Sequence, residues 1–176
     1  MNNYYAKTLL YAYPNLESLT EQIDELVEKK AFASMSNYTP ALFQCEQILG
    51  LTNQKQTLIN VKVILDKVLE KFTLDELDCF SYKYFKNKPK EYFKNFDASS
   101  RGYFRKQIKL INLFSKRLEY CGIDDGWFIK YCLKIDFFKE LYKRVLEYEK
   151  VSNRKKVFSS NENKVQIATN KKAKIA

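Results

Sequence analysis

Leu58, Val61, Leu65, Val68 and Phe72 recur at intervals of three, four, three and four residues. Only an α-helix turns that spacing into one continuous apolar seam. Ile59, Ile64 and Leu69 widen it. A helix over Asn53 to Lys71 is therefore expected at the centre of the fold rather than as half of a two-stranded coil. Elsewhere no region alternates with period two between turn signals, and the four Gly and three Pro of the 176 residues fall near segment ends. The expectation is an all-α, multi-helix domain. Thr39-Pro40 marks a helix start, Ala33 to Thr39 reads as a loop, and Gly50 is expected to separate Pro40 to Leu49 from the seam helix.

On either side of this centre the chain divides by pattern. Residues 4–13 and 15–32 read as helices broken at Pro14, either a hairpin or one kinked helix, with Leu16, Leu19, Ile23, Leu26 and Val27 as a stripe. Gly122 reads as a helix stop. Asp124 and Asp125 read as helix-start charges, since two carboxylates without further oxygen ligands do not make a metal loop. Phe128 to Lys150 is expected to be helical. Its expected apolar side begins at Trp127, Tyr131, Ile135 and Phe138 and continues through Leu141, Tyr142, Val145 and Tyr148. From Val151 onward low hydrophobicity and high charge predict a disordered basic tail. The organisation read from sequence is thus an N-terminal helical region over 1–72, a helix-turn-helix over 73–118, a helical segment over 119–150 and the tail over 151–176.

The helix-turn-helix is where the charge gathers. Thr73 is a candidate N-cap with Glu76 at the third helical position, a capping box. Leu74, Leu77, Phe80, Ser81, Tyr84 and Phe85 form one stripe on a helix ending near Lys86. Pro89 suits the first turn of a short helix over Lys90 to Asn95, and Asp97 or Ser99 caps a third helix from about Ser100 to Leu118. In that third helix Tyr103, Phe104, Gln107, Leu110, Ile111, Phe114 and Leu118 face the core, while Arg101, Arg105, Lys106 and Lys109 point away. The net charge is +10 overall, yet residues 83–118 alone carry +9 and 150–176 carry +7, with 1–82 at −4 and 119–149 at −2. A phosphate polyanion is the partner such a surface rewards, through counterion release.

Three segments carry a family resemblance: Phe72-Thr-Leu-Asp-Glu, Tyr82-Lys-Tyr-Phe-Lys and Asp97-Ala-Ser-Ser-Arg-Gly-Tyr-Phe-Arg-Lys-Gln. Together they resemble the helix-turn-helix in the fourth conserved region of bacterial sigma factors. They also resemble the same domain in phage late-gene transcriptional regulators of the ArpU and RinA kind. The resemblance implies a sequence-specific, duplex-DNA-binding transcriptional regulator in which Ser100, Arg101, Arg105, Lys106 and Lys109 face DNA, and Lys88, Lys90 and Lys94 are expected to contact phosphates from the flank. An ArpU- or RinA-like chain would act as a homodimer. A sigma-like one would act as a monomer on RNA polymerase.

Other chemistries are disfavoured by composition. There is no histidine, no Gly-rich phosphate loop and no nucleophile elbow, so no enzyme activity, cofactor or metal is expected. Cys45, Cys79, Cys121 and Cys132 show no Cys-x-x-Cys spacing and read as small core residues in a reducing compartment. No stretch approaches the ~20 apolar residues of a membrane span and no leader pattern is present, which predicts a cytoplasmic protein without a membrane partner. Thirteen Tyr and thirteen Phe read as packing material rather than a base-stacking surface. The alternative function is a helical protein-protein adaptor that binds no DNA.

Overall fold

The computed structural model of the chain describes residues 1–34, 40–85 and 101–151, and every regular element among them is helical. The elements are α1 (Asn3–Ala12), α2 (Leu16–Ser34), α3 (Ala41–Leu69), α4 (Leu74–Phe80) continued by a π-turn (Ser81–Phe85), and α5 (Arg101–Tyr120). A single turn, α6 (Asp125–Trp127), runs into a second π-turn (Phe128–Cys132), and α7 spans residues 136–151. None of these helices is long and apolar enough to cross a membrane. Of the loop predicted over 33–39, residues 33 and 34 instead continue α2; its remainder, the middle helix over 90–95 with its connections, and the tail beyond Val151 lie outside the described residues.

The seam sits where its spacing places it. Leu58, Val61, Leu65, Val68 and Phe72 are all buried, as is Leu69, while Ile64 is half-buried and Ile59 reaches solvent. Around them one core draws on Leu9 and Leu10 of α1, Phe80 and Tyr84, Phe114 and Leu118 of α5, and Phe128 and Phe138. Burial of aromatic and branched side chains on this scale is the main favourable term for such a fold. α1 is the inner element. Its small residues Ala6 and Ala12 are fully buried, Asn3 bonds Asn112 of α5 at 2.9 Å, and Lys7 pairs with Glu149 of α7 at 2.7 Å.

Pro14 resolves as a kink rather than a hairpin. Residues Tyr13–Asn15 form a 3-10 turn between α1 and α2, with right-handed helical backbone at Ala12, Tyr13 and Leu16. The kink is tied to α3: the Tyr13 hydroxyl donates to Asp66 at 2.6 Å, and Lys62 bonds both Asp66 and Glu17. From there α2 runs against α3, joined by Lys55 to Asp24 and Lys30 to Gln47, each at 2.6 Å. Towards the far end of this hairpin several apolar positions are in solvent. Leu26 of the stripe is 47% exposed, and Cys45 is exposed beside Leu42 and Phe43, which corrects the reading of Cys45 as a core residue. Of the other cysteines, Cys79 and Cys132 are buried and Cys121 is half-buried.

Two glycines behave oppositely. Gly50 does not end a helix, since α3 is continuous over 29 residues and nothing lies within 4 Å of a Cβ placed there. Gly122 does end one. At φ +86° it closes α5 with bonds from Gly122 N–H to the Glu119 carbonyl (3.0 Å) and from Ile123 N–H to the Leu118 carbonyl (2.9 Å), a Schellman stop. Gly50→Ala should therefore stabilise the chain by roughly 0.5–1 kcal/mol through helix propensity. Gly122→Ala should destabilise it by about 1 kcal/mol or more, because only glycine holds that backbone without strain. Urea titration of both variants checks the opposite signs; shifts of the same sign would contradict the assigned helix boundaries.

The expected helix over 128–150 is interrupted. Asp124 caps α6 by accepting from Trp127 N–H at 2.7 Å, in keeping with its reading as a helix-start charge. The π-turn then closes with Leu133 N–H on the Phe128 carbonyl at 3.1 Å, before a turn at 133–135. The wider turn rotates the apolar face, so Phe128 and Cys132 fill the core. Of the predicted side, Ile135, Phe138 and Val145 are buried and Leu141 and Tyr142 half-buried. Tyr131 and Tyr148 are exposed and Trp127 is partly so.

Candidate nucleic-acid interface

The first helix of the expected pair begins on its predicted cap. Thr73 N–H donates to Glu76 Oε2 at 3.0 Å, the return bond of a capping box, and Asp75 and Glu76 occupy the first turn. Along the predicted stripe Phe80 and Tyr84 are buried and Leu77, Ser81 and Phe85 half-buried. Leu74 is 80% exposed. As the first helical residue it projects past the end of the packed face, which corrects its assignment to the stripe.

α5 separates into the two faces its sequence implies. Tyr103, Gln107, Leu110, Ile111, Phe114 and Leu118 are buried and Ser115 joins them. Phe104 does not. It is 51% exposed on the flank with Ile108, a correction to the core stripe. Phe114 lies 5.8 Å, centroid to centroid, from Phe80, and Tyr103 meets Tyr82 edge-on at 5.9 Å. A buried amide must be satisfied, and Gln107 donates to the Cys79 carbonyl at 3.3 Å and the Tyr103 hydroxyl at 2.6 Å. That bond fixes how α5 seats on α4.

The six bases of α5 sort by what they touch. Lys106 is half-buried with Nζ 3.4 Å from the Asp75 carbonyl, so it faces α4 instead of pointing outward as expected. Arg117 donates to the Lys71 carbonyl at 3.0 Å and stacks over Phe72 at 4.1 Å, which makes it a packing residue. Arg105, Lys109 and Lys116 are exposed and make no ion pair among the described residues. At i, i+4 and i+11 they form one row opposite the buried stripe, roughly 16 Å long at ~1.5 Å per residue. No acid occurs between Arg101 and Leu118. Lys116 is the residue that sequence reading counted in the charge but did not place at the interface. Its eleven-residue offset from Arg105, three helical turns, was the available signal. Ser100, Lys88, Lys90 and Lys94 lie outside the described residues, as does the side chain of Arg101.

Burial raises several ionisable groups in the interior. Burial pushes Tyr103, Tyr11 and the Cys132 thiol each up to about 12. Burial also raises Cys79, which the neighbouring Lys106 ammonium only partly offsets. Among the described residues no group of three or more Cys, Asp or Glu side chains could hold a metal ion. No protein-family model matches the chain, and neither does any curated protein or solved structure.

Proposed function

We propose that this chain is a sequence-specific, duplex-DNA-binding transcriptional regulator, sigma-like or phage-regulator-like in its helix-turn-helix, acting in the cytoplasm and without catalytic activity. The observation that carries the reading is the row Arg105, Lys109 and Lys116, exposed and free of acids on the face of α5 opposite its packed stripe. A helix seated in this way presents a convex cationic ridge of major-groove width. Arg105 is assigned to base edges, because bidentate Arg to guanine is the common specific contact. Lys109 and Lys116 are assigned to phosphates. With the +9 balance over residues 83–118, about six phosphate contacts give a slope of log affinity on log salt of roughly −5. Fluorescence anisotropy with labelled duplexes chosen by selection from random sequence measures it; an affinity that does not change between low and moderate salt overturns the reading.

A second reading is favoured by the far end of the α2–α3 hairpin, where Phe32, Leu42 and Phe43 are 72%, 75% and 51% exposed. Exposed apolar side chains such as these suit protein-protein contact, as an adaptor or a homodimer would use. Of the apolar seams over 16–27 and 58–72, Leu16, Ile23, Leu58 and Leu65 are buried in the core of the one chain, whereas Leu26 is 47% exposed. In this reading a dimeric regulator pairs through the hairpin end. A sigma-like one would remain a monomer on RNA polymerase.

A further inference from the structure

A groove of about 680 Å³ lies between the middle of α3 and the second π-turn. This lies within the range of roughly 300–1,000 Å³ typical of ligand pockets. One wall is a row of side-chain amides on α3. Gln56 donates to Asn60 at 3.0 Å, while the amides of Asn53 and Gln54 make no side-chain hydrogen bond among the described residues. The facing wall carries Trp127 and Tyr131, whose ring centroids are 5.0 Å apart, with Lys130 and Lys134 beside them. Lys130 Nζ sits 5.0 Å from the Tyr131 ring centre. Among the described residues no acidic one lines the groove, and none of α4 or α5 does.

Two features of the fold put these groups there. The π-turn rotates Phe128 and Cys132 into the core and leaves Trp127 and Tyr131 at the surface. Helix α3 runs through Gly50 without stopping, and that end of the groove is open space, since nothing lies within 4 Å of a Cβ placed at Gly50. Aromatic faces, paired lysines and free amides answer the three parts of an unpaired nucleotide. Rings stack on the base, ammonium groups meet the phosphate, and an amide offers a donor and an acceptor to a base edge. A neutral sugar would use the rings and amides but not the lysines, and a duplex hides its base faces.

We propose that this groove binds single-stranded nucleic acid, with bases against Trp127 and Tyr131 and the backbone on Lys130 and Lys134, as a site separate from the α5 ridge. Trp127 is the chain's one tryptophan, so its fluorescence reports occupancy directly. The experiment titrates the full chain with a twelve-residue oligodeoxythymidine and follows Trp127 quenching at several salt concentrations. Saturable quenching is expected. Tyr131→Ala should weaken it roughly 5- to 100-fold, the range for loss of one base-stacking ring. Lys130→Ala with Lys134→Ala should reduce the salt slope by about 1.4, at ~0.7 per phosphate contact on a single strand. Gly50→Phe should block the groove with α3 still helical by circular dichroism and duplex binding unchanged. The exposed lysine pair serves as the test if that variant misfolds. Three results overturn the proposal: binding that leaves Trp127 unquenched, quenching by a neutral oligosaccharide equal to that by the oligonucleotide, or loss of quenching on substituting Arg105 and Lys109 alone. The last would mean a single site on α5. Duplex binding lost without loss of quenching would sink the regulator reading and leave the groove standing.

Discussion

Phe114→Ala should lower the stability of the chain by about 3–5 kcal/mol, the usual cost of emptying a buried aromatic site. Phe114 has no exposed surface and lies between two other rings, 5.8 Å from Phe80 and 6.3 Å from Phe72, which themselves meet edge-on at 5.2 Å. These three rings come from the end of the seam, from α4 and from α5. Their loss of contact is felt at the junction of three segments, and the close-packed surroundings cannot collapse to fill the space. With a total stability of about 5–15 kcal/mol for a domain, such a loss takes a large share and lowers Tm by roughly 6–20 °C for a chain of this size. Phe104→Ala, ten residues away on the same helix, should shift stability by under ~1 kcal/mol because half of that ring is already in water. Urea denaturation of the two variants decides it; equal losses would mean that α5 packs by a different face.

That contrast marks where period counting succeeds. The seam from Leu58 to Val68 and the stripe from Tyr103 to Leu118 were legible because each lies on regular α-helix, where spacing maps directly to direction, and Phe72 is buried in the turn that follows α3. Phe104 sits at the edge of the stripe, and only the partner's width decides whether an edge residue is covered. Leu74 fails for a related reason, since a first helical residue extends beyond the packed overlap. In the 127–138 segment the period itself changes. A π-turn has a wider repeat, so Phe128 and Cys132 replace Tyr131 in the core and Trp127 is left only partly covered. Nothing in a 3.6-residue count can register that. The glycines were separable in principle. Ile123 after Gly122 closes on apolar Leu118, both fully buried, whereas the equivalent pair around Gly50 is Leu51 and Glu46, which offers no apolar closure. The interface was half legible: Arg105 and Lys109 fall where helical spacing puts them. Lys106 and Arg117 look equivalent in sequence, but carbonyls at Asp75 and Lys71, distant along the chain, take them up.

Arg105→Ala should cost about 1–3 kcal/mol in affinity for a selected duplex and flatten the preference at the base pairs it reads. Lys116→Ala should weaken every duplex alike and reduce the salt slope by about 0.9, the share of one phosphate contact. The difference follows from position and chemistry. Arg105 lies within the first two turns of α5, the end from which a recognition helix reaches base edges, and its planar fork matches the paired acceptors of guanine. Lys116 lies near the other end and carries a point charge that does not discriminate among bases. Both side chains are exposed and make no ion pair among the described residues, so neither substitution should move stability by more than ~0.5 kcal/mol. Arg117→Ala supplies the contrast within the same helix. It removes the bond to the Lys71 carbonyl and the stacking on Phe72, so it should lower stability by about 1 kcal/mol, with little change in affinity once the folded fraction is taken into account. Melting curves and anisotropy titrations on the three variants, against selected and random duplexes at two salt concentrations, separate these effects. If Arg105→Ala and Lys116→Ala act identically on both kinds of duplex, α5 holds the phosphate backbone without reading sequence, and base recognition must be sought outside it.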